Sequence, residues 1–150
     1  MFRNLLAIGA AGLLLVSCST SKKDADVTAP VPGSVEDFNQ NVANTVYFGF
    51  DKFNITPEAQ STLDQIASWL KMYTQRNVTV EGHADRRGTV EYNLALGNRR
   101  AESVKAFLVG SGVDAGRIAT ISYGKESPVS EGKTEEDHAL DRRAQTVVVE

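Results

Sequence analysis

The chain has 150 residues and a single cysteine, so it can form one folded domain and no intrachain disulfide. Its formal net charge is −3 and its Lys and Arg residues form no basic stripe, which argues against a nucleic-acid-binding protein. Its apolar content is that of an ordinary globular protein.

Residues 1–17 are predicted to form a signal peptide. Arg3 supplies a positive charge, and the apolar run after it is too short to span a bilayer comfortably but suits a signal sequence. The run ends in small residues followed by Cys18, which resembles the lipobox of bacterial lipoproteins. Lipid on Cys18 would anchor the chain, and Ser19 favours the outer membrane by the same resemblance. An ordinary secretory signal with an incidental cysteine is the alternative.

Residues 18–41 are predicted to be a lipidated, flexible tether. They are rich in Ser, Thr, Asp, Pro and Gly and have little apolar content with which to fold. Residues 35–38 within this segment can form a short ordered turn. The folded domain is expected over residues 42–150.

From Thr45 onward the pattern predicts strands that alternate with helices. Thr56 and Pro57 are a capping hydroxyl and a proline at the first helical position, so a helix should start there and run to about residue 73. Strands are predicted over residues 45–50, 77–83, 118–123 and 144–149. Further helices are predicted over residues 89–109 and 134–141. This β-α-β-α-β-(α)-β order predicts an α/β fold (an α+β sandwich), with helices packed on a small mixed sheet.

The loop over residues 81–88 lies between a predicted strand and a helix, where backbone amides suit an anion and Asp85 adds an acceptor. On a helical wheel Arg100 lies at the margin of the buried face, so its stem should pack and its guanidinium should lie near the protein edge. Arg99 should face solvent. An acceptor beside a fixed guanidinium complements a zwitterion, such as the side-chain end of diaminopimelate.

Simpler roles remain open for these residues. Asp85 can cap a helix, and Arg100 can form a structural ion pair. Three aromatic residues near the first strand are expected in the core, although they and Asp51 can instead form a wall beside the site. These are Phe48, Phe50 and Phe53. Solvent-exposed loop charge is expected for Arg86 and Arg87, and Arg142 and Arg143 are assigned either to the border of the site or to the surface.

Four segments carry a specific resemblance. They are residues 47–52, 81–89, 91–101 and 122–126. Together with the lipobox and the tether, they resemble the peptidoglycan-associated lipoproteins of the OmpA C-terminal domain family. One departure is Asp141, where that family commonly has asparagine.

The resemblance implies that Asp85 and Arg100 bind diaminopimelate, with Asp51, Phe50, Thr89 and Leu96 as further ligand contacts. It also implies an outer-membrane lipoprotein, anchored by acylated Cys18, whose domain faces the periplasm and holds the wall non-covalently. TolB and the other Tol-Pal components would be its partners in envelope integrity and cell division. No cofactor and no nucleic-acid partner are expected.

Two other functions remain as alternatives. The first is a module that binds only proteins, in which Asp85 and Arg100 are structural. The second is a metal-dependent wall hydrolase, in which His83 and Asp85 are half of a metal site. His138 is the only other histidine, and no third ligand stands at a recognisable zinc spacing. A non-enzymatic protein is therefore expected.

Overall fold

The computed structural model describes residues 28–150, so the predicted signal peptide and Cys18 lie outside the described residues. The strands are β1 (Thr45–Tyr47), β2 (Val78–His83), β3 (Ile118–Gly124) and β4 (Arg143–Val148). The α-helices are α1 (Val35–Asn41), α2 (Pro57–Met72), α3 (Val90–Gly110) and α4 (Glu135–Asp141). Among the helices of residues 28–150, none is long and apolar enough to cross a membrane.

The strands form one mixed sheet in the order β1-β4-β2-β3. Strand β2 runs parallel to β3 and antiparallel to β4, and β4 in turn runs antiparallel to β1. The parallel pair is joined through α3, which packs on β2 and β3. The predicted fold, with helices packed on a small mixed sheet, is therefore confirmed.

Each α-helix begins beside a hydroxyl residue whose side-chain oxygen accepts a hydrogen bond from a backbone amide of the first turn. These capping residues are Ser34, Thr56, Thr89 and Thr134. Such a cap satisfies an amide that has no partner within the helix. The helix start predicted at Thr56 and Pro57 is confirmed.

The core lies between one face of the sheet and helices α2 and α3. Leu63, Ile66 and Leu70 of α2 are fully buried, and they recur at the spacing of one helix face. Val104 and Leu108 of α3 pack into the same cluster. Valines of β2 and β4 supply its sheet side.

Helix α3 approaches β2 closely because two glycines face each other. A Cβ atom at Gly82 would overlap the carbonyl oxygen of Gly97, and one at Gly97 would overlap the hydroxyl of Ser122. Only residues without a side chain permit this separation. The contact fixes α3 against the strand that leads into the loop of Asp85.

The folded domain begins earlier than the predicted tether allows. Helix α1 caps on Ser34, and Phe38 is fully buried with its ring 4.9 Å from that of Trp69. The Trp69 indole donates to Asp37, and the Arg76 guanidinium donates to the Gly33 carbonyl. Residues 33–41 therefore pack on the domain, whereas the sequence predicts a flexible segment in which only residues 35–38 can form an ordered turn. Seven helical residues with one buried aromatic are too few to produce a clear periodic pattern.

Candidate functional site

The loop after β1, the loop after β2 and the first half of α3 enclose a cavity of about 220 Å³. Sites for drug-sized ligands are usually larger, roughly 300–1,000 Å³, so this cavity suits the end of a side chain. Five of the predicted ligand contacts line it: Phe50, Asp51, Asp85, Leu96 and Arg100. Four further lining residues are not among the predicted contacts, namely Arg87, Gly88, Tyr92 and Asn93.

Arg100 is fully buried and organises the site from within. Its guanidinium donates to three backbone carbonyls, of Lys52 at 2.8 Å, His83 at 2.8 Å and Gly49 at 3.1 Å. The expectation that the guanidinium lies near the protein edge is therefore wrong. The helical wheel considers only α3, whereas the loop after β1 folds over the end of this side chain.

Arg100 keeps its charge in this position. Burial lowers the pKa of its guanidinium to about 10, and Asp85 and Asp51 partly offset that effect. Within residues 28–150 its hydrogen bonds use three of its five N–H groups. A charged guanidinium with uncommitted donors therefore borders the cavity.

Asp85 is also buried, and its carboxylate is held by its own loop. Its Oδ1 atom accepts hydrogen bonds from the backbone amide of Arg87 at 3.0 Å and from the Nε atom of Arg87 at 3.2 Å. Its Oδ2 atom accepts one from the Nη2 atom of Arg87 at 2.7 Å. Burial tends to raise the pKa of Asp85, but the bonds from Arg87 outweigh it, and the pKa lies below its usual value. The alternative role as a helix cap is excluded, because Thr89 caps α3.

Arg87 is solvent-exposed, as expected from its position in the sequence, but its charge is paired. Besides its bonds to Asp85, its guanidinium lies 4.4 Å from the ring centroid of Phe50. Its Nη1 atom is 3.3 Å from a carboxylate oxygen of Glu135. The expectation of a solvent-exposed charge is wrong for Arg86, which is half-buried, donates to the carbonyl of Ser130 and does not line the cavity.

The loop after β1 forms the outer rim of the cavity. Asp51 has a φ of 56°, in the left-handed region, and accepts a hydrogen bond from the Tyr92 hydroxyl. Strand β1 ends at Tyr47 instead of residue 50, and Phe48 is buried after it. Phe50 and Phe53 are 59% and 45% exposed, so their expected place in the core is wrong. The alternative, an aromatic wall beside the site, holds for Phe50.

Helix α3 supplies the inner wall. Leu96 lines the cavity as predicted, and the amide of Asn93 donates to the carbonyl of Arg87 at 2.8 Å. Thr89 does not line the cavity, because its hydroxyl is used in the cap. Asn93 is not a predicted contact, although its spacing of seven residues from Arg100 puts both on one helix face.

The two arginines at the junction of α4 and β4 differ in position. Arg142 lies beside the site. Its Nη1 atom is 3.7 Å from a carboxylate oxygen of Asp85 and 2.8 Å from one of Glu135. Arg143 is buried away from the cavity lining and lies 3.9 Å from Asp141. Of this pair, Arg142 therefore borders the site and Arg143 does not.

His83 precedes the site loop and is buried, with its ring stacked 5.4 Å from that of Tyr123. Burial lowers the pKa of His83 to about 4, so the ring is neutral at pH 7. Within residues 28–150, no group of three or more His, Cys, Asp or Glu side chains could hold a metal ion. The described part of the chain therefore does not complete the metal site of the hydrolase alternative.

Comparison with known proteins gives consistent matches. The OmpA family matches residues 47–142. The chain is 47% identical to the peptidoglycan-associated lipoprotein of Haemophilus influenzae, over 95% of this chain and 94% of that protein. The crystal structure of the peptidoglycan-associated lipoprotein from Burkholderia pseudomallei matches with a TM-score of 0.70 and 42% identity, covering 71% of this chain and 91% of that one. The structure of the cell wall anchor of the type VI secretion system (T6SS) from Pseudomonas aeruginosa matches with a TM-score of 0.63 and 27% identity, covering 80% of this chain and 100% of that one.

Proposed function

The chain belongs to the OmpA family, and from this premise we propose that it is an envelope lipoprotein that holds peptidoglycan without a covalent bond. The family resemblance indicated by the sequence motifs is confirmed by these matches. The relatives are named for their association with peptidoglycan, which supports a binding function over an enzymatic one.

The observation that carries the proposal is the pair of buried, oppositely charged side chains at one cavity. Asp85 offers a carboxylate, and Arg100 offers N–H groups that its carbonyl partners leave uncommitted. The side-chain end of meso-diaminopimelate carries an ammonium and a carboxylate on one carbon. The ammonium would bind Asp85 and the carboxylate would bind Arg100, each through charge-assisted hydrogen bonds.

Sedimentation with purified peptidoglycan sacculi tests this function. The full-length protein in detergent should sediment with sacculi and release no soluble wall fragments. Absence of sedimentation would favour the module that binds only proteins, and release of fragments would favour the hydrolase. A chelator should change nothing, because the proposed binding uses no metal.

The remaining proposals concern place and partners. We propose that Cys18 carries lipid in the outer membrane and that the following residues tether a domain that faces the periplasm. Binding to TolB and participation in the Tol-Pal system rest on the family resemblance alone.

If the lipid anchor is right, Cys18→Ser should move the protein from the outer-membrane fraction to the soluble periplasm while sacculus binding persists. Retention of this variant in the outer-membrane fraction after wall removal would contradict the lipid anchor.

A further inference from the structure

The proposed site contains a cation of its own. The guanidinium of Arg87 makes two hydrogen bonds to the Asp85 carboxylate, and the shorter one is 2.7 Å. A ligand ammonium bound to Asp85 needs the same oxygen atoms. Arg87 therefore occupies the position that the proposed function gives to the ligand cation.

The surroundings of Arg87 offer it a second position. Its Nη1 atom already lies 3.3 Å from a carboxylate oxygen of Glu135, whose side chain is 60% exposed. The ring of Phe50 lies under the guanidinium and can support it during a lateral shift. A guanidinium released from Asp85 therefore has a carboxylate acceptor already within contact distance.

We propose that Arg87 is a specificity-determining residue that fills the cation position of the free site and moves to Glu135 when a ligand ammonium binds Asp85. This inference rests on the proposed function, because it assumes that the ligand brings a cation to Asp85. Beyond the proposed function, the guanidinium of Arg87 is then a competitor that every ligand ammonium must displace from Asp85.

The competitor makes the site selective. A neutral group is a poor replacement for the guanidinium, because Asp85 would lose its hydrogen-bonded counter-ion and keep only the more distant charge of Arg142, at 3.7 Å, among its ion pairs within residues 28–150. An ammonium restores the charge balance at Asp85, and Glu135 accepts the displaced guanidinium. A ligand that also brings a carboxylate to Arg100 gains a second ion pair. The exchange at Asp85 therefore disfavours an uncharged group, and Arg100 adds the preference for a zwitterion over a purely cationic group.

Neighbouring arginines give a matched test. Arg87→Gln removes the competitor, whereas Arg86→Gln removes the same charge from a residue that binds a backbone carbonyl outside the cavity. Calorimetric titration of the full-length protein with a meso-diaminopimelate muropeptide should show about fivefold tighter binding for Arg87→Gln. Arg86→Gln should bind like the unmodified protein. Circular dichroism would confirm that both variants fold.

Glu135→Gln tests the second position. This change should weaken binding by about twofold to fivefold, because the displaced guanidinium loses its acceptor. Glu135 also pairs with Arg142, so the change alone does not isolate Arg87. In the Arg87→Gln background the loss should disappear, since no guanidinium then needs to move.

The outcomes distinguish the exchange from the proposed function. Binding by the unmodified protein together with equal or weaker binding by Arg87→Gln would overturn the exchange and leave the proposed function intact. An undiminished Glu135→Gln effect in the double variant would also overturn it. If no variant binds the muropeptide and sacculi do not sediment the protein, the proposed function and the exchange are both wrong.

Discussion

Arg100 donates from Nη1 to the carbonyl oxygen of His83 at 2.8 Å, two residues before Asp85. The same guanidinium reaches the carbonyls of Gly49 and Lys52 in the loop after β1. One buried cation therefore joins the two loops that carry the carboxylates of the site. Truncation of Arg100 would therefore affect both its proposed role in binding and its role in stability.

Arg100→Ala should abolish most sacculus binding and also destabilise the domain. Three backbone carbonyls would lose their donor, and that of His83 belongs to a buried residue. An unsatisfied buried group costs roughly 1–3 kcal/mol, so a loss of about that size is expected. Urea unfolding followed by circular dichroism measures the stability, and sedimentation under conditions where the variant is folded measures binding.

Arg99→Ala is the matched control, because it removes the same charge from the neighbouring, exposed position. It should change the free energy of unfolding by less than about 0.5 kcal/mol and leave sacculus binding intact. Equal losses for the two variants would mean that Arg100 acts only through net charge.

Sequence periodicity predicts the buried face of α3 but not the depth of Arg100. Gly97, Ala101, Val104 and Leu108 are buried as expected, because their spacing follows the helix alone. The position of Arg100 depends on a loop more than 40 residues earlier, to which it is hydrogen-bonded. The bonds from Arg87 to Asp85 depend on the local loop conformation, which has no periodic signal in the sequence.

The N-terminal helix should contribute measurably to stability. Phe38 is fully buried against Trp69, so Phe38→Ala should lower the free energy of unfolding by about 3–5 kcal/mol. Val31→Ala is the control, since that side chain is 72% exposed. A loss below about 1 kcal/mol for Phe38→Ala would mean that α1 is released from the domain at little cost.

The stability of the domain should fall in mild acid because of His83. The pKa of its imidazole is about 4 in the folded protein and 6.5 for an unperturbed histidine, so between these values the unfolded chain binds more protons. Stability should therefore rise by about 3 kcal/mol from pH 4 to pH 6.5 through this group. Urea unfolding at a series of pH values measures the slope.

His83→Gln should flatten the stability profile over that range. Asp85 contributes at lower pH, because its hydrogen bonds with Arg87 hold its pKa below the usual value even though burial acts in the opposite direction. The stability from this ion pair is lost only as the pH falls through that lowered pKa. An unchanged slope in His83→Gln would assign the acid sensitivity to carboxylates.

The ligand itself provides the last prediction. If Asp85 and Arg100 bind a zwitterion, the full-length protein should prefer meso-diaminopimelate peptides to lysine peptides by about tenfold or more. Lysine keeps the ammonium for Asp85 but lacks the second carboxylate, so Arg100 keeps N–H groups without a charged acceptor. Leaving buried donors unpaired costs roughly 1–3 kcal/mol, and each 1.4 kcal/mol is about a factor of ten in affinity.

Amidation of the diaminopimelate carboxylate separates charge from shape. The amide keeps the size and the ammonium but removes the negative charge, so it should weaken binding in the same direction as lysine. Asp85→Asn provides the complementary change, since it keeps the size of the side chain and removes the carboxylate that the ammonium needs. Calorimetry with the three peptides measures each loss. Equal affinities for all three would place wall recognition outside this cavity and leave Asp85 and Arg100 a structural role, because neither side chain would then respond to a charge on the ligand.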